Sequence, residues 1–77
     1  MNNKKFIEIA GWFGVALILL AYSLNIFGVI ESSTTLYQSL NAVGAIGIII
    51  DGIGKKDLQP VVLNVVWLAI AVIAVLG

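Results

Sequence analysis

The stretch Gln59–Gly77, QPVVLNVVWLAIAVIAVLG, carries no charged side chain from one end to the other. As a helix rising ~1.5 Å per residue, a run of this length crosses the ~30 Å hydrocarbon core of a bilayer. Two more apolar runs precede it, Glu8–Phe27 and Leu36–Ile53, each of 18–20 residues. Together the three fill about three quarters of a 77-residue chain that is 61% hydrophobic and only 10% charged. A small soluble domain buries only about 60% of the surface its unfolded chain exposes. Lipid must therefore solvate much of this chain. The expected fold is all-α: one domain of three transmembrane helices, with spans near 8–27, 36–53 and 59–77.

The lysines give a topology. Lys4 and Lys5 precede the first span, and Lys55 and Lys56 lie between the second and third. Three spans place those two segments on one face of the membrane. The opposite face receives the 28–35 loop and the C-terminus, with Glu31 and no Lys or Arg. The positive-inside rule then sets the N-terminus and the second loop in the cytoplasm and the C-terminus outside. A bacterial inner membrane is the expected location. A chain with this bias inserts one way, so any dimer should be parallel. A cleavable signal peptide is not expected from the Lys4-Lys5 start and Ala21-Tyr22-Ser23, because the apolar run continues through Leu24, Ile26 and Phe27.

Composition excludes several chemistries. Net charge is zero, so no basic surface argues for nucleic acid. The chain has neither Cys nor His, which leaves no thiolate or imidazole for zinc, haem or acid–base catalysis. Gly52-Ile53-Gly54-Lys55-Lys56-Asp57 lacks the glycine spacing and the preceding strand of a P-loop. Neither an enzyme, a metal site nor a cofactor is expected.

Punctuation divides the spans. Gly28 is a natural helix terminator. Ser33, Thr34 or Thr35 can cap the second helix through a hydroxyl, and Asp57 can cap the third, with Pro60 tolerated in its first turn. Each span also shows a stripe of small or polar residues at helical spacing. The first reads Gly11, Gly14, Ile18, Ala21, Tyr22, Asn25, opening near Gly11. The second reads Tyr37, Asn41, Gly44, Gly47, Asp51, and the third Pro60, Asn64, Trp67, Ala71, Ala74. Small residues let helix backbones approach, and amides bond across helices, so each stripe should face protein. The glycines are read chiefly as packing residues and the asparagines as helix glue or solute ligands.

Trp67 stands out. Trp12 and Tyr37 sit where interfacial aromatics usually sit, but Trp67 falls near the middle of its span. A mid-membrane indole needs a partner for its N–H, and Asn64 lies one turn away. An amide beside an aromatic plane is a plausible small-solute site. Asp51, the lone acid within a span apart from Glu8 at the edge of the first, is read as a pair with Lys55 at i,i+4 or as an inner gate.

Two resemblances follow from these residues. Lys56-Asp57-Leu58 through Pro60 and Asn64 is similar to a passage of the bacterial half-transporters called SemiSWEETs and of the wider PQ-loop group. Gly11-Trp12, Leu19-Leu20-Ala21-Tyr22 and Leu63–Trp67 resemble phrases of short uncharacterised bacterial three-helix proteins. The first resemblance implies a SemiSWEET-like bundle, a parallel homodimer, and a central pocket for a small polar solute lined by Asn64. The chain departs from that pattern in two places. It has no Trp in its second helix, and Leu24-Asn25 stands where a Pro-Gln hinge would fall.

The expected function is therefore a half-transporter. Asn64, Trp67 and Gly44 would form its pocket, with Asn41 and Tyr22 in the outer vestibule and Asp51 and Asn25 as gates. The alternative is a non-transporting subunit or scaffold that packs against a larger membrane partner.

Overall fold

A computed structural model describes residues 3–77. It contains three helices, α1 (Asn3–Ile26), α2 (Thr35–Gly54) and α3 (Leu58–Leu76), and no strand among the described residues. All three are long and apolar enough to cross a membrane. The bundle measures 38 × 21 × 19 Å, long enough for a bilayer core.

α1 begins earlier than the apolar pattern suggested. Lys4 and Lys5 lie inside its first turns rather than ahead of it, and Gly11 is internal. Hydropathy marks where lipid starts, whereas Lys, Phe, Ile and Glu continue a helix beyond that line. The helix ends at Gly28, which takes φ +77°. Gly28 N–H donates to Asn25 O at 3.1 Å and Val29 N–H to Leu24 O at 2.8 Å, the paired bonds of a Schellman turn. Thr34 caps α2, its hydroxyl accepting from Tyr37 N–H at 3.2 Å. α2 closes in a second Schellman turn, with Lys56 N–H to Ile53 O at 3.1 Å and Asp57 N–H to Gly52 O at 2.9 Å. Here Lys56, not a glycine, takes the left-handed position, at φ 57°. Asp57 occupies the cap position of α3 without a side-chain cap bond.

α2 is the central helix. It packs against both α1 and α3, whose backbones make no close approach to each other among the described residues. The α1–α2 contact is made backbone to backbone. A Cβ on Gly14 would collide with Gly44 O, one on Gly44 would lie 2.7 Å from Gly14 O, and one on Gly47 would lie 2.5 Å from Ala10 O. No side chain larger than glycine fits there.

The interior is inverted relative to a soluble protein. Its buried apolar residues are Ala21, Ala45 and Ala71, its buried polar ones Asn41 and Asn64, and no large side chain is fully buried among the described residues. Phe13, Leu19, Ile70 and Ile73 are all more than half exposed. In water that surface would drive aggregation; in lipid it is solvated. Small residues inside and large apolar residues outside make this a multi-pass membrane protein.

Candidate functional site

Because α1 and α3 stand apart, they leave a cleft over α2. Ile18 of α1, Ile48 of α2, and Leu63, Asn64 and Trp67 of α3 line it, around a space of about 250 Å³. Asn64 is its polar element. The residue is only 7% exposed, so the amide is recessed. Its Nδ2 donates to Pro60 O, one turn back on α3, at 2.8 Å. No charged residue lines the cleft.

Trp67 forms one wall, near the middle of α3. Its Nε1–H finds a partner in Asn41, not in the neighbouring Asn64: the indole donates to Asn41 Oδ1 at 3.1 Å. Asn41 Nδ2 donates in turn to Tyr37 O at 2.8 Å. Asn41 is therefore a support that holds Trp67 across the α2–α3 contact. On its other side Trp67 borders a smaller groove with Tyr37, Gln38, Asn41, Ile70 and Ala71. Gln38, overlooked in the sequence pattern, donates to Ser32 O at 2.9 Å and so ties the first loop to α2.

The remaining candidates do not join this cleft. Gly44 is spent in the α1–α2 contact, pressed on Gly14 and Ile18. Its stripe faces α1, whereas Asn41 faces α3. Tyr22 is 58% exposed and does not face protein within the chain, and Ala74 is likewise exposed. Asn25 donates to Ile30 O at 3.1 Å, bracing the turn after α1. Helical spacing placed these residues on a common stripe, but three helices with α2 in the middle divide that stripe between two interfaces.

Asp51 occupies a separate niche at the lysine end, with Glu8, Gly11, Trp12, Val15, Ile48 and Lys55. Its carboxyl group fills the space over Gly11, where a Cβ would come within 2.7 Å of Asp51 Cγ. Lys55 Nζ stands 3.0 Å from the buried Oδ1. The contact is an ion pair by distance, although no hydrogen bond reaches that oxygen. The Asp51 carboxylate raises the Lys55 pKa above its ordinary value of 10.5, against a smaller opposing effect of desolvation. Ile48 lines both niche and cleft, so the two lie on adjoining faces of α2. No group of metal-binding side chains occurs among the described residues.

The chain belongs to an uncharacterised protein family whose model matches residues 7–77. That match agrees with the resemblance to short uncharacterised bacterial proteins, and nothing in it supports the resemblance to SemiSWEETs or the PQ-loop group. Neither the curated proteins nor the solved structures yield a match.

Proposed function

We propose that the chain is half of a membrane transporter, acting as a parallel homodimer in the bacterial inner membrane with its lysine end in the cytoplasm. The observation that carries this reading is the cleft between α1 and α3, with a recessed amide in its floor. A polar group opening onto lipid at this depth is costly, so the cleft calls for a cover. A second copy supplies one. In this reading the two facing clefts enclose a chamber with a recessed Asn64 on each side. The chamber would hold Asn64 on both sides and Trp67 in its walls. Without charged lining it suits an uncharged polar solute, since a charged one would lose its hydration without a counter-ion.

The test uses Trp67 fluorescence in a Trp12→Phe background, with the protein in nanodiscs and a panel of uncharged polar solutes. A saturable change lost in Asn64→Ala supports the chamber. An unresponsive signal across the panel, together with unchanged vesicle flux in Asn64→Ala and Trp67→Ala, would sink the reading.

A second reading, a non-transporting subunit packed against a larger membrane protein, draws on one specific observation. The indole and the amides of Asn25, Asn41 and Asn64 all make bonds within the chain. Structural duty then accounts for them without a solute. This reading expects a stoichiometric partner on pull-down from native membranes, and expects Trp67→Phe to be functionally silent.

A further inference from the structure

The bundle carries all its Lys side chains at one end. Lys4 and Lys5 lie in the first turns of α1, while Lys55 and Lys56 close α2. The antiparallel pairing of α1 and α2 brings these together: Ile7 packs on Gly54, and Gly11 on Asp51. The opposite end has no Lys or Arg. The four lysines are not equivalent. Lys55 is engaged by Asp51. Lys5 and Lys56 are exposed and make no ion pair among the described residues.

Lys56 adds a second observation. It holds the left-handed position of a Schellman turn, where glycine fits without steric cost. A lysine there is strained by its Cβ. The turn's backbone bonds use this conformation but not the lysine side chain, which is exposed and makes no ion pair among the described residues. A residue that breaks a local rule without a structural return points to a role for its side chain. The left-handed turn holds it just beyond the end of α2.

We infer that this end of the bundle is a docking surface for the headgroups of anionic glycerophospholipids in the cytoplasmic leaflet, with Lys5 and Lys56 as its contact charges. Charge complementarity selects the occupant: Lys4, Lys5, Lys55 and Lys56 outnumber Glu8, Asp51 and Asp57 at this end, and Lys5 and Lys56 make no ion pair among the described residues, leaving two ammonium groups for anionic lipid at the membrane surface. Trp12, 69% exposed, stands about two turns further along α1 and gives the upper acyl region an aromatic surface. The inference concerns the end of the bundle and does not depend on the solute chamber.

The experiment reads lipids retained by the full chain in native mass spectrometry, after reconstitution in equal parts phosphatidylglycerol and phosphatidylcholine. The wild type should keep phosphatidylglycerol preferentially. Lys56→Gly keeps the turn geometry and removes the charge, so it should lower that preference about fivefold, and Lys5→Gln by a similar factor. Equal retention of both lipids by the wild type would overturn the inference, as would an unchanged preference in the Lys5→Gln, Lys56→Gly double variant. Millimolar inorganic phosphate should not displace the lipid; full displacement would mean a free-anion site and would also overturn it.

Discussion

The indole N–H of Trp67 donates to the side-chain carbonyl of Asn41 across a separation of 26 residues. It joins the middle of α3 to the first half of the central helix. Side-chain hydrogen bonds within membranes contribute ~0.6–2 kcal/mol. Trp67→Phe and Asn41→Ala should each destabilise the chain by about that much in detergent unfolding. A double-mutant cycle should return most of the cost as coupling between the two positions. Additive effects would show that the bond contributes nothing.

The Gly14–Gly44 contact should tolerate no side chain. Gly14→Ala puts a methyl against Gly44 O, so α1 and α2 must part or strain. Overpacking of this kind costs about 1–3 kcal/mol. Gly28→Ala provides a contrast. Open space surrounds Gly28, but its φ is +77°, so only the backbone penalty of about 1–2 kcal/mol applies. Interhelix distances measured by spin labels on α1 and α2 should lengthen in Gly14→Ala and stay unchanged in Gly28→Ala.

Lys56→Gly should stabilise the chain by about 1 kcal/mol, because it relieves a left-handed lysine. Thermal unfolding in detergent measures this directly. A gain in stability alongside weaker retention of anionic lipid would show that strain and lipid contact reside in the same side chain.

The Lys55–Asp51 pair sets an alkaline dependence. A lysine pKa raised in the folded state contributes stability that is full below the ordinary 10.5 and lost as pH rises through the higher folded value. This pair should therefore add no slope between pH ~7 and ~9. The loss should appear only above about 10.5 and be absent in Lys55→Gln. A wild-type decline that persists unchanged in Lys55→Gln would contradict the assignment.

Much of this architecture is legible in the sequence, because it depends on local chemistry. Hydropathy gives three spans, Gly28 gives the end of α1, and the hydroxyls of Ser33, Thr34 and Thr35 give the start of α2, of which the structure uses Thr34. The order of packing is not local. Periodicity reports that Asn41, Gly44 and Gly47 share a broad face of α2, but not that Gly44 and Gly47 serve α1 while Asn41 serves α3. For the same reason spacing pairs Trp67 with Asn64, its neighbour in sequence, whereas its hydrogen-bond partner lies on another helix. The lysine in the left-handed turn was also illegible, since the motif usually announces itself with glycine. Asn64 and Trp67, picked out from spacing and depth, do lie together in the cleft. Gly44 and Tyr22 do not, because a stripe on a helical projection records composition and not which neighbour arrives.

The most direct measurement of the central claim is the mass of the purified complex in lipid nanodiscs with no other protein present. Two copies of the 8.2 kDa chain are expected, each covering the other's α1–α3 cleft. A strict monomer would leave that cleft to lipid, remove the chamber, and contradict the half-transporter account.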